Sequence, residues 1–515
     1  MTGPAAPPLP GEPRQWWEGR PFAAALILLS VVPLLYPQVP PLVDLFGHMG
    51  RYRVQLDLSE SPWLPLYYDF EWAAIGNLGV DLLIIPLAPV LGLEMAVKLI
   101  VLAIPPLTVA GFLLVAREVH QRLPPTALFA LPFVYGHPFL FGFVNYALSM
   151  ALAFLAFGLW LRLARLGKLR LRALLFVPIS IVIFFTHTYG WGALGLLCFS
   201  AEAVRQHDGG KSWYRSIFHA ALHASVMALP LLIMVGWRSE AHGGMTRLWF
   251  HWERKWEWVH SALRDRWRLF DWISLAVVAL VFAFAVAHRR LTLSRNLAFS
   301  ALVLLAGFLI IPLTVFGSTY ADMRLVPFLF AVAVLAIRFR GETPLPLARM
   351  LAVCGLVFLV IRFAGNGISL AMAADDQRAK LEAIDHMPMG ARTVTLAGQP
   401  CKREWALPRN THLGAMVIVR RHGFSNDQWV IEGINLLQLN YRPAGRFAAD
   451  PSQIVQADHC RPAKMWTMSE ALAAFPRDRF DYLWLIDPPP YDPAAVNDLR
   501  PVWRGPGSIL YQVER

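Results

Sequence analysis

Apolar runs of roughly fifteen to twenty residues, parted by short basic segments, fill the first 366 positions of the chain. Such a pattern predicts helices that cross a bilayer, whose hydrocarbon core is ~30 Å thick. The expected spans lie near 21–40, 94–116, 125–141, 143–162, 173–187, 189–204, 216–236, 271–287, 297–317, 324–338 and 349–365, about eleven in all. The first apolar run, Pro21–Tyr36, follows Arg14 and Arg20 and runs into Pro37 and Pro41 without a small-residue cleavage site, so it reads as an uncleaved helix.

One run, 78–92, is short and carries Asp81, Pro86 and Pro89. Loop charge decides its place. If it does not span, Arg14 and Arg20, Arg117 and Arg122, the basic loop Arg162–Arg172, the loop Arg205–Arg215, Arg289–Arg295 and Arg338–Arg349 all fall on one side. The opposite short loops, near 142, 188 and 318–323, are nearly free of Lys and Arg. This is the positive-inside pattern. It places the N-terminus in the cytoplasm, 78–92 on the outer surface and the C-terminus outside, with the inner membrane the expected location.

Two outer segments are long, 41–93 and 237–270. In the first, Leu42, Leu45, Phe46, Met49, Tyr52 and Leu56 recur at helical spacing, which predicts an amphipathic helix over 42–57 lying at the interface. The second mixes Trp249, Trp252, Trp256, Trp258 and Trp267 with Arg247, Arg254, Lys255, Arg264, Arg266 and Arg268, a headgroup-level composition. It serves either as an interfacial anchor or as a cover that binds an anionic lipid.

From Gly367 onward the pattern changes to that of a soluble domain. A helix is expected over 368–386, then strands at ARTVTLAG and FDYLWLID, giving a small α/β domain over 367–515. Asp487 closes the second strand before Pro488, and no glycine-rich loop follows it, so it reads as a strand end rather than a nucleotide site. The fold expected is thus an α-helical polytopic membrane domain, 1–366, with a C-terminal soluble α/β domain.

Composition sharpens the class. The chain of 515 residues is 56% hydrophobic and only 16% charged, too apolar for water on all sides. Its formal net charge of +12 sits in membrane loops, and no zinc-finger spacing or P-loop accompanies it, so membrane lipids are expected partners and nucleic acid is not. Of four cysteines, Cys198 and Cys354 lie in apolar runs and read as packing residues. Cys401 and Cys460 lie in the polar domain and would pair if it faces an oxidising compartment and the fold brings them together.

Candidate chemistry gathers at outer helix ends. Asp44, in VDLFGHMGRY, follows the first span almost at once; a carboxylate there can take a proton from a hydroxyl, or simply be solvated or cap a helix. Arg324, in STYADMRLVP, can grip a phosphate or pair with nearby Asp322. His187 and Tyr189, in FFTHTYGWG, and His137, Asn145 and Tyr146 flank other outer turns and either line the same cavity or are ordinary hydrogen-bond partners. Lys98 can snorkel to headgroups or touch a lipid phosphate. Asp44, His48, Asp69 and Glu71 could supply ligands to a divalent metal, although no HExxH-type spacing supports one.

The layout resembles the GT-C superfamily of membrane glycosyltransferases. The matching features are Asp44 with His48, the acidic pair Asp69 and Glu71 in YYDFEW, and the outer run 78–92. The resemblance implies transfer of a sugar from a polyprenyl-phosphate carrier to a glycan, lipid or protein acceptor on the outer face, in the service of a cell-envelope polysaccharide or related product. It implies an inverting displacement with Asp44 as general base. His48, Asp69, Glu71, His187, Arg324 and Tyr146 would bind substrate or phosphate; no cofactor is fixed by the pattern, and GT-C enzymes include metal-dependent members. Other readings stay open: a transporter or flippase of lipid-linked or envelope glycans, a polysaccharide polymerase or ligase, or a scaffold. No internal repeat of the transporter kind is visible.

Overall fold

The computed structural model describes residues 14–240, 245–341, 344–430, 435–460 and 465–514, with the backbone alone at 237–240. In chain order its helices are α1 (Arg20–Leu29), α2 (Leu45–Asp57), α3 (Gly79–Leu91), α4 (Leu93–His120), α5 (His137–Leu140), α6 (Val144–Arg165), α7 (Leu169–Thr186) and α8 (Thr188–Asp208). There follow α9 (Trp213–Ala224), α10 (Leu229–Glu240), α11 (Trp252–His260), α12 (Arg268–Ala287), α13 (Arg295–Ile310), α14 (Val326–Leu335), α15 (Leu345–Leu381), α16 (Met416–Arg421) and α17 (Met468–Ala474).

The chain is a multi-pass helical bundle with a C-terminal sheet domain. Among the described residues five helices are long and apolar enough to cross a membrane: α4, α6, α7, α12 and α15. A sixth arises if 213–227 and 229–236, bent by 60° at their junction, count as one span. The expected eleven is therefore not reached by length and composition, and proline is one reason. The run 125–141 folds as a fully buried 3-10 helix, Pro125–Tyr135, with Pro132 inside it, followed by the four-residue α5. Each proline removes a helix donor, so the continuous α-helix of the expected span does not form. The first run likewise breaks after Leu29 into a short 3-10 turn containing Pro33.

Helix α3 has 13 residues, about 20 Å, too short for a bilayer core. Gly92, at φ +76°, turns the chain directly from it into the 28-residue α4. That conformation is open to glycine at little cost.

Helix α15 runs for 37 residues without a break. The separate helix expected over 368–386 is the far half of this one, which crosses the 366/367 boundary and reaches the soluble domain. Cys198 is buried as expected, whereas Cys354 faces outward from α15.

The soluble domain carries a six-stranded sheet in the order Leu499–Gly505, Ser508–Val513, Tyr482–Ile486, Thr393–Gly398, Ile454–Gln456, Trp466–Thr467. The two strands foreseen in the sequence form its centre, parallel and in register from Tyr482 opposite Thr393 to Ile486 opposite Ala397. Both are buried along nearly their whole length, which suits strands covered on two faces. Cys401 and Cys460 form a disulfide that links sequence positions 59 apart.

The amphipathic helix α2 does not lie on an open interface. It is clamped between the bundle and the soluble domain, with Leu45, Phe46, Met49, Tyr52 and Val54 buried. Gly47 and Gly50 permit this: a Cβ at the first would meet Trp429 at 2.5 Å, and at the second Gln428 at 2.6 Å.

The outer segment 237–270 is also split in role. Trp249, Trp252 and Trp256 are exposed, as a headgroup anchor requires, while Trp258 and Lys255 are buried against the bundle. Lys255 Nζ donates to the carbonyls of Phe308 (2.6 Å) and Ile311 (2.8 Å) and pairs with Asp322 at 3.2 Å.

Candidate functional site

A cavity of about 220 Å³ opens where the bundle meets the soluble domain. Asp44, His48, Tyr146, His187, Tyr189 and Arg324 all line it, with Phe143, Ser318 and Trp429. Residues spread over nearly 400 positions thus meet in one chamber.

Asp44 sits at the N-cap of α2, but its side chain makes no capping hydrogen bond, so the carboxylate is free for other work. Its backbone is pinned: Asp44 N donates to the Phe141 carbonyl at 2.9 Å. That approach depends on Gly142, at φ +101°, where a Cβ would come within 2.6 Å of Asp44 N. Burial pushes the carboxyl well above the ordinary range; the charge of Asp450 raises it further and that of Arg324 pulls it back.

Arg324 occupies a short 3-10 turn, Asp322–Leu325, that leads into α14. Asp322, the alternative partner considered for it, is taken by Lys255 and by Trp258 Nε1 at 3.0 Å. Arg324 instead has the Ser318 hydroxyl at 3.2 Å from both terminal nitrogens, and its Nε–H has no partner. Among the described residues no carboxylate lies within ion-pair reach of it. Its guanidinium stands 4.5 Å from the Phe143 ring centre and 5.2 Å from that of Tyr189, so aromatic faces hold the cation without neutralising it.

His187 has extended backbone at the start of α8, and its Nδ1 accepts from Tyr189 N at 3.0 Å. An accepting Nδ1 is unprotonated, so in neutral His187 the proton is on Nε2, as a donor. Tyr146 lines the cavity with its ring, while its hydroxyl donates to the Arg324 carbonyl and fixes the turn that carries the guanidinium. Tyr189 does the same for the Ala321 carbonyl.

His48 lies between Trp429, at 5.1 Å, and Tyr52. Burial, with the neighbouring charge of Arg51, pushes its pKa well below the ordinary histidine value, so the ring is neutral.

Other candidates fall elsewhere. Asp69 and Glu71 are exposed and do not line the cavity. The strand Tyr68–Phe70 pairs antiparallel with Leu437–Leu439, and the two-residue period turns Tyr68 inward and the acidic pair outward. The four residues considered as metal ligands therefore do not converge. Among the described residues the tight cluster of ligand-type side chains is Cys401, His459 and Cys460, whose sulfurs are already joined.

Asn145 borders the cavity but spends its amide on Val80 N, Asn77 and Asp81. Asp81 in turn pairs with Arg51 at 2.7 Å, locking α3 against α2. His137 is buried beside Trp258 and away from the cavity, with neither ring nitrogen partnered. Lys98 donates to the Leu35 carbonyl. Asp487 pairs with Lys380 and accepts from Asn410, as a strand end held in place.

Sequence reasoning missed the wall contributed by the soluble domain. Trp429 lines the cavity directly, and behind it stand His412 and Asp450. The signal was faint: GFSNDQW, 423–429, is a polar stretch between apolar ones, and its Asp427 is buried with its pKa pushed up to about 7 by loss of solvent.

No family model matches the chain, and no curated protein does. Among solved structures, two crystal structures of ArnT from Cupriavidus metallidurans are similar, one in the apo state and one bound to undecaprenyl phosphate. Each has a TM-score of 0.48, at 10% and 11% sequence identity, and the match covers 95% of this chain and 97% of the other.

Proposed function

We propose that this protein is a membrane glycosyltransferase that moves a sugar from a polyprenyl-phosphate carrier to an acceptor hydroxyl, with Asp44 as general base. The observation that carries the proposal is the pairing of opposites in one cavity: Arg324, buried without a carboxylate partner, and Asp44, buried without a capping role. A buried cation left unneutralised is costly unless an anion arrives to meet it. A sugar phosphate supplies that anion.

In this reaction the acceptor oxygen attacks the anomeric carbon as Asp44 takes its proton. The bond from that carbon to the phosphate oxygen breaks, and the phosphate leaves with the electron pair. Arg324 and the His187 Nε2–H stabilise the charge that gathers on it. The geometry of a single displacement inverts the anomeric centre. The aromatic walls, Phe143, Tyr146, Tyr189 and Trp429, exclude water, which would otherwise compete as acceptor.

The positive-inside loops support a site on the outer face of the inner membrane, with the N-terminus cytoplasmic. The Cys401–Cys460 disulfide agrees with an oxidising compartment for the soluble domain.

The test uses full-length protein in liposomes with undecaprenyl-phosphate-linked mannose, glucose or arabinose, each radiolabelled, and cell-envelope extract as acceptor. The wild type should release undecaprenyl phosphate and label the acceptor. Asp44→Asn should lower the rate by about 10³-fold and Arg324→Gln by about 10²-fold. Full activity in Asp44→Asn, or vesicle uptake of the lipid with no glycosyl product, would refute the assignment.

A further inference from the structure

His412 lies at the N-cap of a 3-10 turn in the soluble domain, Leu413–Ala415, that packs on α2. Its Nε2 stands 3.9 Å from Asp44 Oδ1 and 4.0 Å from Asp450 Oδ1. Its Nδ1 is 3.2 Å from the Asp427 carbonyl, which can only accept. The proton is therefore on Nδ1, and the bare lone pair of Nε2 faces two carboxylates. Trp429, with its ring centre 4.4 Å away, packs against the imidazole. Asp450 is itself set in place, since its backbone N–H donates to the Gln428 carbonyl and its Oδ1 accepts from Gln453 at 2.7 Å.

Side-chain exposure is 13% at Asp44, 6% at His412 and 21% at Asp450, so a buried imidazole stands between two partly exposed carboxylates. Asp44 lines the reaction cavity, while Asp450 lies outside that lining and is partly exposed. Both gaps are about 1 Å longer than a direct hydrogen bond, the span that a small side-chain rotation or one intervening water closes.

We propose that His412 and Asp450 form a proton outlet for Asp44, so that the soluble domain completes the catalytic machinery of the bundle. The inference rests on the role of Asp44 argued above. After transfer, Asp44 holds the acceptor's proton. It passes that proton to His412 Nε2, forming an imidazolium whose charge Asp450 balances. The imidazolium then releases the proton to water at the Asp450 end, and Asp44 returns to its charged form. No other bond changes, and no co-reactant is needed.

The groups facing His412 are compatible with this path. Burial lowers its pKa, while Asp450 and the Asp427 carbonyl raise it in part, so the ring waits in its neutral, accepting form. From α2 come Asp44 and the neutral His48, and from the polar stretch the Asp427 carbonyl. Arg420 and Arg421 on α16 turn away to Glu94 and Asp385.

The experiment has two arms on the full-length protein in nanodiscs. In the first, the His412 ring nitrogens are followed by NMR with ¹⁵N-labelled histidine, assigned by comparison with His412→Gln. The Nδ1–H tautomer is expected at neutral pH. The titration midpoint should fall in Asp450→Asn and in Asp44→Asn, by at least ~0.5 pH units. In the second, His412→Ala should lose about 10- to 100-fold in kcat on the three labelled donors, with KM for donor unchanged. Exogenous imidazole at ~50–100 mM should restore much of the rate, which a merely structural role would not allow. A midpoint unmoved by both variants overturns the outlet, as does full activity in His412→Ala. Coupled titration without turnover of any donor by the wild type supports the outlet and removes the transfer reading instead.

Discussion

Two buried arginines, Arg324 at the edge of an apolar run and Arg362 within one, are used by the structure in opposite ways. Arg362 on α15 meets Asp271 at 2.7 Å and the Leu263 carbonyl at 3.1 Å. Around it Asp265 binds Arg409, Asn366 and Ser369, so Arg362 and Arg409 each have a carboxylate within ion-pair reach. Arg324 has aromatic faces and one hydroxyl. In the first region folding itself supplies the counter-charges; in the second Arg324 is left without one. A buried charge marks a ligand site when its counter-charge is missing, more than by being buried.

The comparison can be broken most forcefully at Arg362. Arg362→Met should cost about 3–5 kcal/mol, because Asp271 is left buried and unpaired, and a thermal melt of the purified protein would show a large fall. A mild effect would mean that the network is dispensable. Gly142→Ala comes next, at roughly 1–3 kcal/mol, since φ +101° and the contact with Asp44 N both oppose a side chain. The melt should fall modestly and transfer more steeply, by about tenfold, as Asp44 shifts.

In stability, apart from its loss of transfer, Asp44→Asn should act in the other direction, by about 1 kcal/mol. The folded pKa of Asp44 is raised, so the native state holds its proton after the unfolded chain has lost it. Wild-type stability therefore declines as pH rises from the unfolded value toward the folded one. The Asn variant should melt higher than wild type at pH 8 and match it near pH 4. Equal melts at both would show that the carboxylate carries no burial cost. The smallest change belongs to Arg324→Met: within about 1 kcal/mol of wild type, because no partner is orphaned. A loss as large as that of Arg362→Met would erase the distinction between the two arginines.

Part of this was legible along the chain. Asp44, His187 and Arg324 each stand where an apolar run ends on the basic-poor side, and those ends do converge. The central strands were visible as short apolar runs bounded by turn residues. The span count was not, because an apolar run tells hydrophobicity and not helix type: 125–135 is as apolar as a span, yet its prolines and its place among α4, α14 and α15 make it a buried 3-10 helix. Asp69 and Glu71 were candidates for binding substrate beside Asp44, but strand pairing with a segment some 370 residues later sets which way they face. His412 and Asp450 carry no local signature. Their meaning comes from Gly47 and Gly50, which let α2 dock beneath the soluble domain, and a docking surface between distant segments has no period to read.

The unbroken α15 has a mechanical consequence. At 37 residues it is a rod about 56 Å long, rooted in the bundle and tied to the soluble domain through Gln377 to the Arg409 carbonyl and Lys380 to Asp487. A rod has no joint. The cap cannot swing clear of the bundle along this connection as a lid on a flexible strap would, and the opposing walls that carry Asp44 and His412 keep their spacing through the stiffness of one shared spine.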